Sequence, residues 1–282
     1  LRIRYLLAAL LAVLGIVFAG AGAAHAASSE HIITTLYAYP TDPQWSSVNS
    51  SAPTTARAIV DICDPSGHGP GCDGESWTAA NPDWKTEISK LRTASITPLV
   101  YIPTNYGAFS VSQVEGWLNQ SISYYGVYSP MFDEMSPSGT CSNGGSPEAC
   151  TTYYQTLYNY AAVTKGAVAA EFNVGTTYNT SAADIFGTKE ILQVFEGPAT
   201  TQQGLTGFES MTWPSWMKSY PASQFAATIA AGTSSTMPND ITEAINSNIG
   251  NFYENDQAEP NPNYANLPSF WSAEVTDVAN GV

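Results

Sequence analysis

Short apolar runs rich in β-branched residues recur along this chain, with polar, helix-like stretches between several of them. The runs are 32–39 (IITTLYAY), 57–63 (RAIVDIC), 97–103 (TPLVYIP), 127–134 (VYSPMFDE), 167–175 (AVAAEFNVG), 191–197 (ILQVFEG), 225–232 (FAATIAAG) and 249–256 (IGNFYEND). They read as apolar on both faces, the pattern of parallel strands covered on both sides. Amphipathic helices are predicted over 82–95, opening on Asn81-Pro82, and over 111–121 after the cap residue Ser110. Two more are predicted over 151–164, after Cys150, and over 238–248, opening on Pro238-Asn239-Asp240. Eight strands interleaved with helices over roughly 250 residues predict an α/β fold, a single-domain (β/α)8 TIM barrel. A doubly wound open sheet is the competing arrangement, but no Gly-rich phosphate turn follows the first strand, so a nucleotide site lacks support.

The N-terminus breaks the pattern. Arg2 and Arg4 precede an unbroken apolar stretch over 5–21, which ends in Ala24-His25-Ala26. Residues 1–26 therefore read as a secretory signal peptide and 27–282 as the barrel domain. A membrane anchor is the other reading, but the run is short for a span and no basic stop-transfer cluster follows it. A secreted, extracellular monomer is expected, with no membrane association after cleavage.

Charge narrows the partners. The chain carries 9 Lys+Arg against 24 Asp+Glu. Without Arg2 and Arg4 the net charge is about −17, which disfavours nucleic acid and anionic membranes and leaves a neutral or cationic ligand unopposed. Four cysteines form two closely spaced pairs, Cys63 with Cys72 and Cys141 with Cys150, in Gly/Pro/Ser-rich sequence. In an exported chain these read as two local disulfides. A zinc site is the alternative, but the two-residue knuckle spacing is missing; no metal and no cofactor are expected.

In a barrel of this kind the chemistry belongs at the C-terminal ends of the strands. Tyr39, Asp64, Tyr101, Thr104, Tyr106, Asn173 and Asp256 lie at or near those ends and are expected to bind substrate. The acids Asp133, Glu134 and Glu196 are there too. Successive side chains of a strand point to opposite faces, so Asp133 and Glu134 cannot both enter the mouth while the strand stays regular. A partner for one of them has to come from another strand. Glu196, in QVFEGP, repeats the order of apolar run, Phe, acid and turn residue two strands later.

Two carboxyl groups facing each other across a mouth are what glycoside hydrolysis needs, one ionised to attack or stabilise and one protonated to release the leaving oxygen. The adjacent acid would tune the pair by charge and hydrogen bonding. The other reading of Asp133-Glu134 is a solvated turn capped by Ser136 and Pro137. Tyr37, Tyr39, Trp45, Trp77, Tyr101, Tyr106 and Trp271 offer either sugar-stacking surfaces or ordinary core packing, and the strand-end residues Tyr39, Tyr101 and Tyr106 stand out among them. His68 offers a base or a turn hydrogen bond. No Gly-x-Ser-x-Gly elbow, His-Glu-x-x-His helix or Cys-His dyad occurs.

The stretches LYAYPTDPQW, DPSGHGPG, PLVYIPTNYG, MFDEM, EFNVGT, VFEGP and NPNYANLPSFW resemble, in order and over nearly the whole chain after residue 26, the spherulation-specific family 4 proteins (spherulin 4), grouped as glycoside hydrolase family 135. The resemblance implies a (β/α)8 barrel that hydrolyses α-1,4-linked polymers of the galactosaminogalactan type at N-acetylgalactosamine. It also implies three essential acids, which fall by motif on Asp133, Glu134 and Glu196. The expected roles are Asp133 as nucleophile or stabilising carboxylate, Glu196 as general acid/base and Glu134 as tuning neighbour, with retention of configuration. Two departures bear on sugar specificity: Asp64-Pro65 stands where the family has Asn-Pro, with His68 inserted in the turn, and Asn173-Val174-Gly175 replaces Asn-Pro-Gly. A barrel that binds carbohydrate without turnover, as a coat or stress protein, is the alternative function.

Overall fold

Eight parallel strands pair in chain order and the last pairs with the first, closing the barrel. They are β1 (His31–Thr35), β2 (Thr55–Val60), β3 (Thr97–Pro103), β4 (Ser129–Asp133), β5 (Ala170–Asn173), β6 (Glu190–Pro198), β7 (Phe225–Ala230) and β8 (Asn251–Glu254). Each lies within one of the eight apolar runs or overlaps it. The computed structural model describes residues 30–136, 138–175, 182–258 and 263–282. The leader reading of residues 1–26, and Pro137, lie outside the described residues.

Two cores explain why the strands are apolar on both faces. Ile33, Ile59, Leu99, Met131, Ala169, Ile191 and Ala226 fill the barrel interior. A far larger cluster, including Val60, Ile102, Phe132, Phe172 and Leu192, joins the outer faces of the strands to the helices. Because side chains alternate along a strand, the interior residues also mark which later positions open into the mouth. Two residues beyond Ile59, Leu99 and Met131 stand Asp61, Tyr101 and Asp133; Asn173 stands four beyond Ala169.

Among the described residues six α-helices cover the barrel: α1 (Gln44–Ser50), α2 (Pro82–Thr93), α3 (Val111–Tyr125), α4 (Cys150–Tyr158), α5 (Met237–Asn246) and α6 (Trp271–Asn280). Their ends follow local chemistry. Asn81 caps α2 by accepting from the Asp83 N–H, with Pro82 in the first turn, and Ser110 caps α3 by accepting from the Gln113 N–H. α3 runs past the expected residue 121 because its stop signal is Gly126, which takes the left-handed conformation at φ 67°. α4 continues as a π-turn over Asn159–Thr164, which completes the expected span. Alternation is incomplete elsewhere: the described residues after β5 and β6 hold short 3-10 turns, at Ala182–Asp184, Phe208–Ser210, Ser215–Ser219 and Ala222–Gln224.

Cys63 is bonded to Cys72 and Cys141 to Cys150. Both bridges staple loops at the C-terminal end of the barrel. The first ties down the loop that carries Gly71 over Tyr101. The second holds a short hairpin whose Asn143 and Gly144 N–H groups donate to Gly107 and Ala108, bracing the loop that bears Tyr106.

Trp45, Trp77 and Trp271 are structural. All three are buried; Trp45 packs edge-on against Trp84 and donates to the Ala38 carbonyl, and Trp77 donates to the Ile62 carbonyl. Trp271 opens α6 against Tyr253. Their indole area serves the packing of helices on the barrel, and so they are not sugar platforms.

Candidate active site

Asp133 ends β4 on the inward face set by Met131. Its Oδ2 accepts the Tyr101 hydroxyl at 2.6 Å and its Oδ1 accepts the Asn173 amide Nδ2 at 2.8 Å. The same nitrogen donates to Glu196 Oε2 at 2.8 Å. Two donors on one side-chain nitrogen thus hold two carboxyl groups, and the two oxygens lie within about 5.6 Å of each other, twice the 2.8 Å bond. Glu196 also accepts from Gln193 Nε2 at 3.2 Å and, through Oε1, from the Tyr264 hydroxyl at 2.9 Å.

Glu196 faces inward because β6 is irregular. Its register against β7 shifts between Gln193 and Phe195. Strict alternation from Ile191 and Gln193 would turn Phe195 inward and Glu196 outward. The bulge instead sends Phe195 into the outer core, its ring 5.1 Å from that of Phe208, and turns the acid to the mouth.

Tyr37 closes the arrangement into a ring. Its phenyl group meets Tyr101 edge-on at 6.0 Å and Tyr264 edge-on at 5.7 Å. The mouth is therefore encircled in the order Tyr37, Tyr101, Asp133, Asn173, Glu196, Tyr264 and back to Tyr37. Beneath it, within the barrel, Arg57 donates to Asn251 Oδ1 at 2.8 Å, and burial pushes Glu171 up to about 8 against the pull of Arg57.

The expected separation of Asp133 and Glu134 by strand alternation does not apply, because the strand stops between them. Glu134 takes φ 56°, a left-handed conformation that costs a residue with a Cβ on the order of 1–2 kcal/mol. The Thr104 hydroxyl lies 2.8 Å from the Asp133 carbonyl and 2.9 Å from that of Glu134, which clamps this turn. Glu134 Oε2 accepts the Asn105 N–H at 3.1 Å, and Asn105 and Tyr106 are left-handed as well. Backbone strain concentrated on both sides of one rim is the kind that a functional site retains.

Burial raises the Asp133 carboxyl above its ordinary value, while the hydrogen bonds from Tyr101 and Asn173 restrain the shift. Glu134 is raised by burial and then by the charge of Asp133. Tyr106 is 58% exposed, and its phenol is raised by partial burial and then by the charges of Glu134, Asp133 and Glu196. An exposed ring beside the acids is suited to stacking on a sugar face.

The other expected substrate ligands make their hydrogen bonds away from the ring. Tyr39 donates to Asp83 Oδ2. Asp64 accepts from the N–H groups of Ser66, His68 and Thr78 and from the Thr78 hydroxyl. Burial pushes its carboxyl up, but the Thr78, His68 and Ser66 hydrogen bonds outweigh that and hold it below the usual carboxylate range. Asp256 accepts from the Ser269 N–H ahead of α6. His68 lies 2.6 Å from Asp73 Oδ2 on the same exposed loop, a turn contact. Thr104 acts on the backbone of the acids, not in the mouth.

Four ring or mouth residues are absent from the strand-end expectations: Tyr37, Asp61, Gln193 and Tyr264. Asp61 is signalled by its two-residue step from Ile59, and burial followed by the charge of Asp133 pushes it up to about 6. Tyr264 comes from the segment after β8 and reaches Glu196 across 68 positions of sequence. Two surface concavities lie elsewhere. One of about 590 Å³ lies between α1 and α2, and one of about 310 Å³ is lined by Arg92, Pro98, Tyr128 and Val168. Neither includes a residue of the ring, so converging chemistry rather than volume marks the site.

Known proteins share this architecture. Sph3 of Aspergillus clavatus, solved in complex with GalNAc, superposes with a TM-score of 0.63 at 19% identity, covering 89% of this chain and 98% of that one. A GH18 chitinase from Pseudoalteromonas aurantia gives 0.53 at 8% identity, covering 89% of this chain and 100% of that one. At such identities the likeness concerns the barrel. Spherulin-4 of Physarum polycephalum is 28% identical over 267 residues, which is 90% of this chain and 72% of that protein. The sequence pattern of the spherulation-specific family 4 matches residues 31–278, and the chain belongs to that family.

Proposed function

We propose that this protein is an exported glycoside hydrolase that cleaves an α-1,4-linked galactosamine and N-acetylgalactosamine polymer, of the galactosaminogalactan type, with retention of configuration. The observation that carries the proposal is the single Asn173 nitrogen bonded at 2.8 Å to both Asp133 and Glu196. One oxygen of each carboxyl thus lies within about 5.6 Å of the other, an approach that supports retention, which uses carboxyl groups about 5–5.5 Å apart. The GalNAc in the Sph3 complex supports an amino-sugar ligand. The leader-like residues 1–26 and the two disulfides support export.

In the first step the Asp133 carboxylate forms a bond to the anomeric carbon as the bond to the glycosidic oxygen breaks. Glu196 gives its proton to that oxygen. In the second step Glu196 takes a proton from water, whose oxygen attacks the anomeric carbon and releases Asp133. Partial burial makes the Asp133 charge poorly solvated and hence reactive, and the hydrogen bonds from Tyr101, the Glu134 N–H and Asn173 favour its ionised form. Glu134, one residue away, acts on the pair through its charge.

Incubation of the purified protein with galactosaminogalactan should generate new reducing ends. Glu196→Gln and Asp133→Asn should abolish them by orders of magnitude while folding is kept. Binding with persistent absence of product would replace this proposal with a carbohydrate-binding role for the same barrel, and turnover unchanged in Glu196→Gln would remove that residue from the mechanism.

A further inference from the structure

Asp61 is a half-buried carboxyl at the mouth that the two steps above leave unused. It follows Val60, the last residue of β2, on the face defined by Ile59. Its Oδ1 is buried and without a hydrogen-bond partner. The other mouth acids all receive donors: Tyr101 and Asn173 for Asp133, the Asn105 N–H for Glu134, and Asn173, Gln193 and Tyr264 for Glu196.

The position of Asp61 is fixed from behind. A methyl group on Gly71 would overlap Asp61 Oδ1 and would come within 2.6 Å of Tyr101 Cδ1. The carboxyl is thus wedged between the Cys63–Cys72 loop and the ring whose hydroxyl holds Asp133. Gly71 closes off Oδ1, whereas Oδ2 is not enclosed and accepts no hydrogen bond from the described residues, so Oδ2 is the oxygen open to a donor supplied from outside the chain. A pyranose is dense in such donors.

We infer that Asp61 is a specificity-determining residue, which accepts a hydrogen bond from an O–H or N–H of the sugar seated beside Asp133. The inference rests on the glycan-binding half of the function proposed above. Asp61 takes no part in bond breaking; it decides which ring the mouth retains. Its place beside Asp133 also makes its contact sensitive to protonation, since burial and that neighbouring charge keep it protonated up to about 6.

The test is calorimetric titration of N-acetylgalactosamine, galactosamine and galactose into the wild type, Asp61→Asn and Asp61→Ala, from pH 5 to pH 8. Asp61→Ala is expected to bind about tenfold more weakly or worse, the effect of deleting an acceptor to a ligand donor. Wild-type affinity should change through about pH 6, and in Asp61→Asn that change should shrink to what Asp133 and Glu134 contribute. Both variants should melt at the wild-type temperature or above, because the acid they lose is unsatisfied in the free protein. Weakening on the two amino sugars alone assigns the donor to N–H, and weakening on all three assigns it to a hydroxyl. Unchanged affinity of Asp61→Ala for all three sugars would overturn the inference. Wild type that binds sugar but cleaves no polymer removes the hydrolase while Asp61→Ala still decides Asp61; wild type that binds none removes both.

Discussion

Tyr101 donates a hydrogen bond from its hydroxyl to Asp133 Oδ2 at 2.6 Å, and that bond favours the ionised form of the acid. Two opposing influences meet at this carboxyl. Burial raises it, and the donors from Tyr101 and Asn173 lower it. Tyr101→Phe removes one restraint with little change in shape. The sign follows: Asp133 rises further, and activity that needs it ionised fails at a higher pH on acidification. We expect kcat/KM to fall about 10- to 100-fold at neutral pH, with the acid limb of the pH profile displaced upward. A fall with an unmoved acid limb would show that Tyr101 contacts substrate without tuning Asp133.

Asn173 has a larger task, since its nitrogen serves both carboxyl groups. Asn173→Ala leaves Asp133 with Tyr101 and the Glu134 N–H, leaves Glu196 with Gln193 and Tyr264, and frees their mutual spacing. Loss of about 100-fold or more in kcat is expected. Asn173→Asp, nearly identical in volume, puts a third acid between the two and should be at least as damaging. Steady-state kinetics with melting curves separate this from unfolding: an Asp variant that melts normally and turns over normally would exclude the bridge from catalysis.

The strands were readable because both their faces are apolar, and the helix starts at Asn81 and Ser110 because capping is local chemistry. Asp133 and Glu196 were readable as acids that end apolar runs. What made them a pair was not. Glu196 points inward only through the shift between Gln193 and Phe195, and a bulge leaves no local mark in QVFEGP. Glu134 escapes the alternation rule by a left-handed turn held by Thr104 and Asn105, partners 29 or 30 positions away. Asp61 could have been found by stepping two residues from Ile59, but an apolar run that continues through Ile62 and Cys63 hides where the strand ends. Tyr264 carries no signal until the fold brings the segment after β8 over β6.

Buried acids away from the mouth govern stability. Burial pushes Glu171 and Glu190 up to about 8 and Asp240 up to about 7, and it raises Glu254 and Glu274 as well. Unfolded, these carboxyls titrate near 4. Between about pH 4 and the folded values the native state therefore holds more protons than the unfolded chain, and stability falls as pH rises, by up to about 1.4 kcal/mol per pH unit for each group titrating. Asp64, held low, and His31, lowered first by burial, act the other way on acidification. The melting temperature should be highest near pH 5 and should decline toward pH 8. A scan that rises over that interval would mean that these carboxyls are ionised in the native state.

Gly71 ties stability to the site. Its Cα rests against Asp61 Oδ1 and the Tyr101 ring, and an added methyl group would overlap the first and stand 2.6 Å from Tyr101 Cδ1. Gly71→Ala must displace one or both, and Tyr101 cannot retreat without lengthening its 2.6 Å bond to Asp133. Overpacking of this kind costs typically about 1–3 kcal/mol, or a melting point lower by several degrees in a domain of this size. Activity should fall with the same upward displacement of the acid limb as in Tyr101→Phe, because both variants deprive Asp133 of the same donor. Gly116→Ala is the comparison: it sits in α3 with nothing within 4 Å of the new carbon, and should be neutral or slightly stabilising. If Gly71→Ala matches Gly116→Ala in melting point and pH profile, the Cys63–Cys72 loop does not hold Tyr101 and Asp61 in place.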